Sequence, residues 1–186
     1  MFKKFLFSFL FSLCFLGLTT SGAFAQTATN IPRSQIDREI RKEILSLPYY
    51  GVFDAIGYKL DDGSVSLNGY VTRPYTKREA EEYIKDIDGV TAVENNIKVL
   101  PVYSSDNRIR VKVYRAIANQ PGLYRYLLGS APSIRIIVNH GYVSLEGFVT
   151  FESDKTLAGI AAREIFGVIN VENNLKVDKT GDMMPL

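Results

Sequence analysis

The sequence predicts an α+β protein made of two tandem α-β-β-α-β domains, each a three-stranded mixed sheet with two helices packed on one face. Three observations carry this. Slid 78 residues along itself, the 186-residue chain matches twice without a gap: 63–72 falls on 141–150, and 89–99 falls on 167–177. Apolar positions recur with helical period at Ile36, Ile40 and Ile44. They recur with strand period at Val65, Leu67, Gly69 and Val71. Two copies make a tandem pair and fall short of the three or so units a solenoid needs.

In chain order, the first element is a leader. Lys3 and Lys4 precede an apolar run over residues 5–18, and Ala23-Phe24-Ala25 offers small residues at both positions a signal peptidase reads. The run is shorter than the roughly 20 residues that span a bilayer. A signal peptide over 1–25, cleaved after Ala25, is therefore expected, which places the protein in the periplasm or, alternatively, outside the cell. Cys14 leaves with it, so the processed chain carries no cysteine. Lys3 and Lys4 leave too, so the formal charge of +2 falls to zero. Net charge then favours no partner, and only local distribution informs.

After a linker over 26–33, the first domain spans 34–101. Ser34 is a candidate N-cap for the first helix and Pro48 stops it. Residues 55–60 read as a strand, and Asp61-Asp62-Gly63 supplies a turn. Thr76-Lys77-Arg78-Glu79 reads as a capping box opening a second helix with core positions Ala80, Ile84 and Ile87. Val93, Ile97 and Val99 mark a third strand, expected parallel to the second through a right-handed crossover. A link over 102–105 leads to the second domain, 106–178, and a tail over 179–186. Upstream of the hairpin the offset drops to 73, so the second copy holds about five extra residues between its first helix and first strand.

The G-x-V-x-L-x-G-x-V strand, the Gly-Val after the second helix and the V-x-N-x-[IL]-x-V closing strand, found twice in register, resemble the BON domain family. The arrangement as a whole is similar to the family's periplasmic tandem members. That resemblance implies non-catalytic modules linked to envelope integrity or stress tolerance, phospholipid association and, in some members, chaperone-like activity. It implies structural glycines: Gly69 and Gly147 letting a strand approach a packed helix, Gly89 and Gly167 ending the second helix. Asn95 and Asn173 read either as structural asparagines fixing a strand start or bulge, or as ligand contacts.

Groups for catalysis are sparse. His140, the one histidine, occupies the turn position equivalent to Asp62. A single histidine and no cysteine cannot make a His/Cys metal cluster. No calcium loop, nucleophile elbow, phosphate loop or dinucleotide fingerprint is present. No enzyme activity, metal or cofactor is expected. One stretch stands apart: residues 107–145 hold no acid, whereas residues 35–63 hold six acids and four bases. The acid-free stretch carries Arg108, Arg110, Lys112, Arg115, Arg125 and Arg135, interleaved with Tyr114, Tyr124 and Tyr126. Arg108, Arg110, Lys112, Tyr114, Arg115, Tyr124, Arg125 and Tyr126 are the candidate contacts to anionic phospholipid or an envelope protein. Two other readings stay open: these arginines pair with the acidic first helix of copy one (Asp37, Glu39, Glu43), or they form a solvated face. A chaperone-like alternative rests on Tyr50, Tyr58, Tyr70, Tyr142 and Phe148, expected to be exposed on an open sheet face. Nucleic acid is not expected as a partner of an exported chain.

Overall fold

A computed structural model describes residues 31–129 and 131–179. The expected leader, with Cys14 and the cleavage point after Ala25, lies outside them. The first domain comprises α1 (Arg33–Ser46), β1 (Ala55–Asp61), β2 (Ser64–Val71), α2 (Pro74–Lys85) and β3 (Ala92–Val99). The second comprises α3 (Ser104–Ala118), a 3₁₀ helix (Tyr124–Leu127), β4 (Ile134–Asn139), β5 (Tyr142–Val149), α4 (Glu152–Arg163), β6 (Asn170–Asn173) and β7 (Lys176–Val177). In both, the hairpin strands pair antiparallel and the last strand joins the centre in parallel, in the orders β1-β2-β3 and β4-β5-β6. The last strand of the second domain, expected to be continuous, breaks after Asn173. Asn174 nonetheless stays anchored through its N–H to the Leu145 carbonyl at 2.9 Å, and β7 resumes alongside β5.

The helices bury the faces their periodicity marks. Ile36, Ile40 and Ile44 meet Ala80 and Ile84 over Val65, Leu67 and Val71. Ile109, Val113 and Ile117 do the same over Ile134, Ile136, Val138, Val143 and Leu145. Each such aliphatic side chain contributes on the order of 1.5–3 kcal/mol by leaving water. The extra residues of copy two form the 3₁₀ segment, which drives Leu123, Tyr126 and Leu127 into that core.

Three local expectations are corrected. Pro32, not Ser34, precedes α1. Helix α2 begins at Pro74, two residues before the supposed cap. Proline at the first helical position has a preset φ and no N–H to satisfy, so the helix starts there without a side-chain cap. Thr76 is consequently inside the helix, buried, with no hydrogen-bond partner for Oγ1. Finally, Gly69 and Gly147 accommodate the neighbouring strand and not a helix. Their φ values are +121° and +106°, and a Cβ would lie 2.1 Å from the Ala55 carbonyl oxygen and 2.0 Å from that of Ser133. Gly89 and Gly167 lie four residues past the ends of α2 and α4, in turns that press against Ile36 and Ile109.

The domains meet edge to edge. The Ile136 N–H on the free edge of β4 donates to the Val52 carbonyl at 2.7 Å, just ahead of β1. An edge strand left open invites pairing with other chains, and here domain one covers it. Strand β4 is therefore buried on both faces over Ile134 to Val138.

Candidate functional site

The acid-free segment divides by helix geometry. On α3, Arg108, Lys112 and Arg115 lie at i, i+4 and i+7 and form one exposed stripe, with the exposed Val111 beside them. Among the described residues none of the three cations has an ion-pair partner. Helix α1 differs: Asp37 pairs with Arg41, and Lys42 with Glu39 and Glu43. The acids of α1 are thus paired within their own helix, and the alternative in which they pair with the arginines of copy two has no ion pair among the described residues.

Arg110 leaves the candidate surface. It is 4% exposed, and one guanidinium nitrogen donates to the Val138 carbonyl at 2.7 Å. Burial pushes its pKa down, partly offset by Asp106 and Asp54. Asp106, a turn earlier on α3, accepts the N–H groups of His140 (2.8 Å) and Gly141 (3.1 Å) at the hairpin tip. Domain one achieves the same helix-to-hairpin tether with Arg33, which donates to the Leu60 carbonyl at 2.7 Å. Leu60 is the repeat equivalent of Val138, so the tether is kept while the residue supplying it moves by one turn.

Tyr126 also turns inward. Its hydroxyl donates to Asp154 at 2.6 Å and accepts the Thr150 N–H at 2.9 Å. Arg125 donates to both Asp154 and the Tyr126 hydroxyl at 2.8 Å, with its guanidinium 4.7 Å over the Tyr126 ring. The bond to Tyr126, then that to Asp154, raises the Arg125 pKa. This cluster fastens the 3₁₀ helix to α4. Tyr114 is half-buried against Phe53 of domain one, ring centroids 6.3 Å apart. Tyr124 remains exposed. Arg125 is exposed but ion-paired with Asp154; the candidates that are both exposed and without an ion pair are Arg108, Lys112 and Arg115, with Tyr124 beside Arg125.

Arg135, counted with the basic segment, is the seam residue. It is fully buried, donates to the Gly51 carbonyl at 2.8 Å and stacks 4.4 Å over the Tyr50 ring. Its Nε and Nη2 have no hydrogen-bond partner, and burial lowers its pKa against the pull of Tyr50 and Asp54. Asp54 in turn accepts Thr72 N–H at 2.6 Å, Thr72 Oγ1 at 2.9 Å and Gly51 N–H at 3.0 Å.

The sheet faces are less open than the alternation suggests. Tyr50 and Phe148 are buried and Tyr58 and Tyr70 half-buried; of the five aromatics expected on an open face, only Tyr142 is exposed. A cleft of about 280 Å³ lies at the seam. Asn68-Gly69-Tyr70 of one copy and the equivalent Glu146-Gly147-Phe148 of the other line it.

Both asparagines have their amides engaged by backbone groups. Asn95 donates to the Lys77 carbonyl (2.9 Å) and accepts the Ile97 N–H (3.2 Å). Asn173 donates to the Lys155 carbonyl (2.7 Å) and accepts the Leu175 N–H (3.4 Å). Each ties the closing strand to the preceding helix with both ends of its amide used.

The sequence profile of the BON domain family matches residues 33–101 and 105–179. No curated protein matches the chain. Among solved structures, the C-terminal domain of CdsD, a structural protein of the type III secretion system of Chlamydia trachomatis, aligns at 13% identity. That alignment covers 80% of this chain and 100% of that one, with a TM-score of 0.29. A second CdsD structure from the same organism aligns at 12% identity over 79% and 95% of the two chains, TM-score 0.30.

Proposed function

The chain belongs to the BON domain family, and from that premise we propose a non-catalytic, exported binding protein of the cell envelope whose second domain attaches peripherally to anionic phospholipid. The family's generally non-catalytic, envelope-associated, phospholipid-binding character supports the class. The leader-like residues 1–25 support export to the periplasm. No helix among the described residues is long and apolar enough to cross a membrane.

The observation that carries the reading is the solvent face of α3. Arg108, Lys112 and Arg115 present unpaired positive charge there, whereas on α1 Arg41 and Lys42 are paired with the helix's own three acids and Arg38 is exposed without an ion pair among the described residues. Each basic residue near an anionic leaflet contributes about 1 kcal/mol. Three of them give about 3 kcal/mol, enough for a reversible attachment that supports envelope integrity without committing the protein to the membrane. Exposed charges are screened over about 8 Å at physiological salt, so the attachment is salt-sensitive.

Flotation of the processed chain (Gln26 onward) with vesicles tests this. Binding is expected to mixed phosphatidylglycerol–phosphatidylcholine vesicles and weakens as salt rises. It disappears when Arg108→Glu, Lys112→Glu and Arg115→Glu are combined. Equal binding to pure phosphatidylcholine, or binding indifferent to the charge reversal, refutes the reading.

A further inference from the structure

The two domains are copies, so each serves as a control for the other. At the 78-residue offset, Ser64, Asp88 and Thr91 of copy one correspond to Tyr142, Phe166 and Ile169 of copy two. In domain one these positions are exposed and polar. In domain two they are equally open to solvent but large and apolar: Phe166 is 91% exposed, Ile169 64% and Tyr142 55%. No core requires these side chains, since nothing packs over them.

They converge on one tip. The Ile169 N–H donates to the Gly141 carbonyl at 2.8 Å, and the Ile169 side chain lies against Gly141, next to Tyr142. Phe166 is on the same loop, beside Gly167. The Tyr103 ring packs on the His140 ring of the adjoining turn, centroids 4.9 Å apart, and is itself exposed. The tip is rigidly joined to the start of α3: Asp106 accepts the N–H groups of His140 and Gly141, and Ile109 packs at Gly167. Arg108 follows Asp106 by two residues in the first turns of α3, and Arg163 ends α4 ahead of the Phe166 loop. Glu164 and the hydrogen-bonded Asp106 balance these two cations at the tip, so the net positive charge comes from Lys112 and Arg115 further along α3.

We propose that this tip is a hydrophobic anchor that enters the headgroup–acyl boundary of an anionic bilayer while the α3 cations lie over the lipid phosphates. The inference rests on the membrane reading above and adds the part that enters the apolar phase. Two features select a bilayer as the occupant. The apolar side chains sit on protruding turns and loops, and not in a groove that could receive a peptide. The gain of apolar tip and the gain of unpaired positive charge occur together, in the same copy and on adjoining elements. That is the amphipathic combination interfacial lipid binding uses. Clustered exposed apolar side chains of this kind mark interaction sites.

The chain contains no tryptophan, so Phe166→Trp introduces a single reporter at a position where nothing packs. With phosphatidylglycerol–phosphatidylcholine vesicles its emission is expected to shift blue and to be quenched by bromine-labelled acyl chains. Phe166→Asp with Ile169→Thr, which restores the residues of copy one, lowers vesicle affinity at least about tenfold, from the apolar surface no longer buried. Unchanged folding by circular dichroism is expected, since both side chains are exposed. If the chain floats with anionic vesicles but the indole is unquenched and the double variant binds normally, the anchor is wrong and the charge-based reading stands. If the chain does not float at all, both fall. A blue shift that grows with protein concentration in the absence of vesicles means the tip contacts another copy, and overturns the proposal.

Discussion

Replacing Gly147 by alanine concentrates the logic of this fold into one methyl group. The Gly147 φ of +106° belongs to a region that L side chains rarely enter, and holding one there costs of order 1–3 kcal/mol. The added Cβ also falls 2.0 Å from the Ser133 carbonyl oxygen, which is backbone and cannot rotate away. Ordinary contacts are more than about 1 Å longer, so the strands must part. Parting them breaks the 2.9 Å bond from the Phe148 N–H to that carbonyl, a further loss of about 1 kcal/mol. The sum is about 3 kcal/mol, a fall in Tm of more than about 10 °C for a domain of this size. Gly57→Ala in β1 is the control, because a Cβ there meets nothing within 4 Å. Urea and thermal unfolding followed by circular dichroism measure both. A Gly147→Ala protein within about 1 kcal/mol of the parent, or a Gly57→Ala protein equally damaged, refutes the reasoning.

Two further outcomes follow from the same geometry. The Tyr58 hydroxyl donates to Asp37 at 2.7 Å, and burial first, then that bond, pushes its pKa from 10.0 up to about 12. The folded chain therefore holds this proton more tightly than the unfolded one. Its stabilising effect is complete below pH 10.0 and is lost as pH rises toward about 12. Urea midpoints across that range fall for the parent and fall less for Tyr58→Phe; parallel curves contradict the assignment. Asn173→Ala strands the Lys155 carbonyl and the Leu175 N–H and costs about 1–3 kcal/mol, whereas Asn174→Ala, on the exposed side of the strand, stays within about 0.5 kcal/mol. Equal unfolding midpoints for the two variants would exclude the strand-to-helix tie.

Much of the fold was legible because its signals are short-range. Ile36, Ile40 and Ile44 mark a helix face by spacing alone, and the Asp62-Gly63 and His140-Gly141 turns declare themselves through residues with positive φ. The errors fell where a local rule met a competing one. The Thr76 capping box lost to Pro74, which opens the helix earlier. Gly69 and Gly147 were recognised as structural but assigned to the wrong neighbour, because a strand pattern does not reveal how closely its partner approaches. The apolar tip was written in the repeat alignment: comparing Asp88 with Phe166 and Thr91 with Ile169 position by position finds it without coordinates.

The sequence by itself determined the duplication, the order of elements, the faces of the helices and the charge difference between copies. All of these follow from period, composition and self-comparison along one dimension. Only the tertiary structure decided which cations are free. Arg108 and Arg110 are two residues apart on one helix, yet about 200° of rotation separates them: the first faces solvent and the second is buried under the Val138 carbonyl. Arg135 sits on an alternating strand whose outer face reads as open, but domain one packs over it and places its guanidinium on the Tyr50 ring. A run of like charge in a sequence is a count, and burial and partners assigned in three dimensions reduce that count to a surface of Arg108, Lys112 and Arg115.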